Sequence, residues 1–492
     1  MATHGPVVFL GRSAQSRRAD HYQIMSKSGP SSTDASRAHA ATSRGAFSSS
    51  LGVLAATLGS AVGLGNIWKF PSLTGANGGA GFLLIYLLST LFIGLPLMVA
   101  EIAIGRQARA NPISALRQLQ PRGAPWWLIG VAGMAAAFLI MAFYSEVVAW
   151  VFAYVAKALS GSLLSSDPVQ TQASFDALVR DPVQALLWQW VVLAFIGGIL
   201  LLGVTRGIEA ATKRLMPLLF LLLVLLGGYS LTLPGAGQAL SFLFAPEWHK
   251  ITPAVVLTAM GLAFFKLSIG MGTMMTYGSY FTAEQNIPAT ATRVMLADLS
   301  VSLLAGMAIF PAVFSFGFQP SAGPSLVFIT IPAVFAQMPG GSVLLAAFFL
   351  LTAIAATGAM LSLMEVPVVI LHERWGLSRP RATLLTLLIL GLLGAGCALS
   401  QSTLATFQPG GRTLFDWADY LSSNLLLPAG GIAIALFVGW AWGERAFAAQ
   451  LSNHGQLGNQ GLARVVSLLL RWVTPVLILL VMLAGLGVFS GA

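Results

Sequence analysis

Apolar residues in this chain run in long stretches divided by short polar breaks. A helix needs about 20 of them to cross a bilayer. Eleven stretches qualify, near residues 47–75, 79–105, 126–158, 183–204, 208–232, 252–280, 289–318, 341–371, 381–400, 414–441 and 465–489. The pattern predicts an all-α polytopic membrane protein with 11 transmembrane helices. Two stretches are interrupted. Gly59, Gly63 and Gly65 crowd the middle of the first, with Ser60 and Asn66 beside them. Ser268, Gly270 and Gly272 stand in the middle of the sixth. Each helix-interior glycine costs about 1 kcal/mol relative to alanine. Backbone unwound in hydrocarbon also leaves amides and carbonyls unpaired unless protein, a cavity or a ligand meets them. Gly59-x-x-x-Gly63 alone also fits close packing of two helices. The matching Gly-x-Gly in stretches one and six, each opening a block of five, favours two discontinuous helices in a 5+5 inverted repeat. That plan sets its binding site at the midplane.

The repeats are expected at 47–232 and 252–441, with the eleventh helix and C-terminus at 465–492. Residues 1–46 are polar and lack an apolar signal core, and read as a disordered cytoplasmic tail. Residues 321–339, proline-rich and uncharged, read as an external re-entrant loop. Gly207 to Pro217 opens span five either as a segment able to unwind or as an ordinary polar helix start.

Of the 492 residues, 56% are hydrophobic and 9% charged, which excludes a soluble domain. The formal net charge of +10 does not signal nucleic-acid binding, because the basic residues sit mostly in short loops and span ends on one side. Of 26 lysines and arginines, only Lys157, Arg180, Lys250 and Arg412 fall on the opposite side, and Lys69 and Lys266 lie within spans. The positive-inside rule then places the N-terminus in the cytoplasm and, with an odd number of spans, the C-terminus outside. The single cysteine, Cys397, excludes a disulfide framework. The histidines lie in the tail, loops or span ends, so no nucleophile–base pair suggests an enzyme. Phe265 and Tyr144 would obstruct a channel.

Several motifs carry a family likeness: AVGLGNIWKFP followed by NGGAGF, then GLPLMVAEIAIGR, FFKLSIGMG, TYGSY and FDWADYLSSN. Over about residues 44–490 the chain resembles the neurotransmitter:sodium symporters, among them bacterial amino-acid transporters with the leucine-transporter fold. The resemblance implies a symporter of an amino acid or similar small zwitterion, in the bacterial inner membrane, possible as a homodimer, with no bound cofactor. It implies that the amides of Leu64 and Gly65, with the Tyr144 hydroxyl, hold the substrate carboxylate. Ser60, Phe265 and Ser268 would meet its amino group or close the pocket. Ile140, Met271, Ala359 and Leu363 would line the side-chain end. The outer gate would be Lys69 with Asp419. The inner gate would be Arg44 with Glu373, packed by Phe47, Tyr277 and Ser279.

One sodium ion is implied against the substrate carboxylate, at Ala61, Asn66, Lys266 and Asp298. A second is implied at the carbonyls of Gly59, Val62 and Ala355. The sequence departs at both. Lys266 stands where the family has a hydroxyl, and its ammonium is expected to replace the first ion, neutralised by Asp298. Gly358 and Ala359 lack the two hydroxyls of the second site, although a one-residue slip brings in Thr357. These departures weigh against sodium coupling. Proton coupling through Lys266, Asp298, Glu101, Glu146 or Glu365, uncoupled carriage, and a non-transporting amino-acid sensor are the alternatives.

Overall fold

The computed structural model describes residues 1–2, 46–163, 165–318 and 326–489. The chain divides after Gly45, and the architecture below is that of the unit from Ala46 onward. The tail and Arg44 lie outside the described residues.

Among the described residues, nine helices are long and apolar enough to cross a membrane, and a bent pair, Ser50–Ala61 with Gly65–Ala76, makes a tenth. The nine are Ala80–Ala108, Leu128–Leu159, Pro182–Leu201, Val204–Ser230, Ile287–Ser315, Gly341–Trp375, Arg379–Gln401, Leu414–Trp442 and Gln460–Gly485. The expected count of 11 is not reached on this measure, because span six is two short helices, Pro253–Lys266 and Thr273–Gly278. Neither is long enough to cross alone. Many helices start at a side-chain cap that pairs otherwise orphaned amides: Ser49 to Gly52, Asn111 to Ser114, Asp181 to Val183, Thr252 to Val255 and Asn286 to Ala289.

Span eight is the most buried of the long spans, spans two, three and seven follow it, and span eleven shows much of its apolar surface to the outside. Span five runs unbroken from Val204, opening on a wide turn with Pro217 inside the helix. Glu209 there accepts from Ser48 N at 2.8 Å and pairs with Lys213 at 2.6 Å, tying span five to the start of span one. The expected re-entrant piece is helical over Leu326–Phe335 and buried. Phe328 stacks on Phe175 at 5.1 Å and meets Tyr154 edge-on at 5.2 Å.

Candidate functional site

Helix Ser50–Ala61 ends where Val62 turns extended (φ −83°, ψ 116°), and the chain resumes as helix bent by 53°. Gly63 N–H donates to Asn66 Oδ1 at 3.2 Å, and Leu64 N–H to the Tyr144 hydroxyl at 3.2 Å. The unwound amides are therefore met by protein, as a break in hydrocarbon requires. Span six breaks after Lys266 through Ser268 (φ 53°), Gly270 (φ 86°) and Gly272 (φ 80°), backbone angles that a side chain rarely tolerates. The two breaks touch, since the Ser268 hydroxyl donates to the Ser60 carbonyl at 2.7 Å. Glu101 of span two braces the second break, accepting from Gly270 N–H at 2.6 Å.

Between the breaks lies a cavity of about 420 Å³. Its walls are Ser60, Ala61, Gly63, Gly65, Ile140, Tyr144, Phe265, Lys266, Ser268, Met271, Ala359 and Leu363. Leu64 is not among them. Its amide, expected to face a carboxylate, is occupied by Tyr144, and Gly63 stands at the wall instead. Among the described residues the buried Ser60 hydroxyl has no hydrogen-bond partner, an uncommon and costly state for an interior polar group. Ile140, Met271, Ala359 and Leu363 supply an apolar end.

Over the cavity, the Lys69 ammonium sits 3.7 Å from the centre of the Phe265 ring and 3.8 Å from Asp419 Oδ1. On the other side, Phe47 packs edge-on against Tyr277 and Tyr280 at 5.8 and 5.7 Å. Glu373 accepts from the Asn111 backbone and side-chain amides at 2.8 and 2.9 Å. The Ser279 hydroxyl donates to Thr276 O at 2.5 Å.

Lys266 forms one wall, its ammonium wholly buried with Asp298. It donates to Tyr86 Oη at 2.8 Å, to Asp298 Oδ2 at 3.1 Å and to Ser302 Oγ. Asn66 Nδ2 completes the group, donating to Asp298 Oδ1 at 2.7 Å and to Ser302 Oγ at 3.1 Å. Tyr86 and Ser302 escaped the sequence reading. Ser302 lies one helical turn after Asp298 on the same face, a spacing that could have revealed it; Tyr86 offers no such signal.

At the second expected cation position, span eight presses on span one. A Cβ on Gly358 would stand 2.6 Å from the Gly59 carbonyl, so glycine is what permits this approach. Thr357, the candidate brought in by a slipped register, donates its hydroxyl to Ala353 O at 2.8 Å within its own helix. Val62 and Ala355 are both buried. Of the acids considered for proton coupling, Glu365 is paired, binding Arg379 at 2.6 and 2.9 Å and accepting from the Tyr280 hydroxyl at 2.5 Å. Glu101 and Glu146 have no ion-pair partner among the described residues; Trp150 Nε1 donates to Glu146 at 2.6 Å.

The profile described as "Sodium:neurotransmitter symporter family" matches residues 44–177 and 179–491. The chain belongs to the sodium:neurotransmitter symporter family. The sodium-dependent transporter YhdH of Bacillus subtilis is 40% identical over 444 residues, covering 90% of this chain and 98% of its own. A sodium-dependent transporter of Haemophilus influenzae is 33% identical, covering 82% of this chain and 90% of its own. The sodium-dependent serotonin transporter of Drosophila melanogaster is 26% identical, covering 81% and 70%. The crystal structure of MhsT in complex with L-phenylalanine superposes with a TM-score of 0.83 at 40% identity, covering 90% of this chain and all of that one. As a symporter of this family the chain is an ion-coupled, multi-pass membrane transporter, not an enzyme.

Proposed function

We propose that this symporter carries an amino acid or similar small zwitterion, by alternating access about the two broken helices. The cavity between the breaks carries the proposal, with apolar walls beside the Gly65 backbone, the Tyr144 hydroxyl and the unpartnered Ser60 hydroxyl. The half-helix beginning at Gly65 points its positive end at the cavity, where a carboxylate is favoured. The unpartnered Ser60 hydroxyl can accept from an ammonium. The apolar walls suit an uncharged side chain, and L-phenylalanine is the ligand named for MhsT. Lys69 with Asp419 forms the outer gate, and Glu373, Phe47, Tyr277 and Ser279 the inner one. In this reading the N-terminus is cytoplasmic and the membrane is the inner membrane. The relatives named as sodium-dependent support sodium as the coupling ion, held at Gly59, Val62 and Ala355. Lys266 supplies the cation at the other position, where Ala61, Asn66 and Asp298 converge.

Proteoliposome uptake of a labelled amino-acid panel, under separate sodium and proton gradients, tests this. Accumulation of at least one apolar amino acid is expected with inward sodium. No uptake and no counterflow with any of the panel would leave a sensor as the better reading. Tyr144→Phe removes the hydroxyl that meets both Leu64 and the proposed carboxylate. Loss of a hydrogen bond to a charged group, about 1.5–3 kcal/mol, should raise the substrate Kd roughly 10- to 150-fold in scintillation proximity binding. Lys69→Arg acts differently. The Lys69–Asp419 pair is partly exposed, so its static contribution is small. An arginine fork grips a carboxylate with two bonds. The expected result is slower exchange, a lower kcat with KM little changed.

A further inference from the structure

Arg471 is a charge in an apolar setting that the transport site does not use. It lies within span eleven, Gln460–Gly485, among exposed apolar neighbours Leu468, Trp472, Val473 and Val476. Gly439 of span ten makes its position possible, since a Cβ there would meet the Arg471 Cα at 2.9 Å. The two spans therefore touch along their backbones, and the Trp440 indole donates to the Arg471 carbonyl at 3.3 Å. The guanidinium carbon sits 3.9 Å from the Trp440 ring centre and 5.8 Å from that of Trp472. The rings meet edge to face at 4.9 Å, and both are about half exposed, at 49% and 57%. Among the described residues no carboxylate pairs with this guanidinium, and its Nε has no hydrogen-bond partner.

A charged side chain on a lipid-facing surface is costly without a partner. Two tryptophans hold the planar cation by ring attraction but do not neutralise it. Trp440 lies two residues before span ten ends at Trp442, the depth at which tryptophans mark the headgroup boundary. Arg445 and Arg464 are exposed at the same ends of these spans against one exposed acid, Glu444, which leaves that boundary net basic. The anion available there is a phosphodiester, which matches the guanidinium fork.

We infer that Arg471, held against the Trp440 ring with Trp472 beside it, binds the phosphodiester of an anionic phospholipid in the adjoining leaflet. The site is independent of the substrate cavity and does not rest on the transport reading.

Native mass spectrometry of the full chain, offered equal amounts of phosphatidylglycerol and phosphatidylcholine, tests it. Wild type should retain phosphatidylglycerol about fivefold over phosphatidylcholine, the scale of one basic residue's preference for an anionic lipid. Arg471→Gln should lose that preference and Arg464→Gln should keep it. Arg471→Lys keeps the charge but not the fork, and guards against a glutamine variant that fails to fold. It should fall between wild type and no preference. Equal retention by wild type, Arg471→Gln and Arg471→Lys would overturn the site. Full competition by inorganic phosphate would show an adventitious anion only. A dimer that Arg471→Gln dissolves without any change in bound lipid would assign this face to a second copy of the chain.

Discussion

Replacing Lys266 by threonine is expected to make substrate binding and stability depend on added sodium. The ammonium and Asp298 are both wholly buried and 3.1 Å apart. Removing one partner of such a pair leaves an uncompensated charge, typically at about 3–5 kcal/mol. Threonine leaves Asp298, Tyr86, Ser302 and Asn66 in place and offers a hydroxyl where the ammonium stood. Oxygen-rich surroundings of that kind suit a hard cation. In choline medium the thermal midpoint of Lys266→Thr should fall by about 3–5 °C. Sodium at 100 times its Kd would return about 2.7 kcal/mol, most of the loss. Lys266→Met fills the space without a hydroxyl and should not recover. The readouts are thermal unfolding and equilibrium binding in sodium, lithium and choline. Identical behaviour of Lys266→Thr in all three would show that the lysine holds the helices together without standing in for an ion. Because this outcome concerns ion dependence and not substrate identity, it separates cleanly from failure of the amino-acid reading.

What the sequence could reveal follows from how local each feature is. The breaks were legible because glycines mark unwound backbone in an apolar run, and Gly270 and Gly272 do adopt positive φ. Ser268 shares that geometry at φ 53° without glycine's freedom, so its strain was invisible until its bond to Ser60 was seen. The cavity walls came from likeness to a family, because residues such as Ile140 and Leu363 look like any packed side chain when read alone. Tyr86 was illegible for another reason. It meets Lys266 across 180 residues, and only the folded bundle brings them together. Glu365 stands among the candidates for proton coupling on sequence alone, and its partner Arg379 is hard to foresee because it follows 14 residues later, beyond the turn at Gly376. The bond from the Leu64 amide to Tyr144 was illegible because nothing in a sequence tells which amide a distant hydroxyl will meet.

Gly270→Ala should abolish transport, by 100-fold or more on a scale of about 3 kcal/mol, although it adds one methyl group. Two independent penalties meet at this position. Its φ of 86° is a conformation that costs an L-residue roughly 1–2 kcal/mol. A Cβ there would also stand 2.6 Å from the Leu427 carbonyl and 2.9 Å from Phe264 Cζ. Leu427 O is backbone of span ten, which cannot swing aside as a side chain end would. The reverse contact is as tight, with a Cβ on Gly430 falling 2.2 Å from Gly270 O. Relief requires the unwound segment to move away from span ten, and Gly270 N–H is what Glu101 holds at 2.6 Å. Moving the segment therefore breaks the brace and displaces Ser268 and Met271 from the cavity wall. Gly228→Ala is the matched control. It lies inside span five with nothing within 4 Å of its added methyl, so gaining helix propensity of up to about 1 kcal/mol it should transport normally. Uptake per molecule of each variant, with membrane yield measured alongside, distinguishes a distorted site from a chain that fails to insert. Normal uptake by Gly270→Ala would mean that the second break tolerates a continuous, side-chain-bearing backbone, and the geometry on which the cavity rests would not be the transporting one.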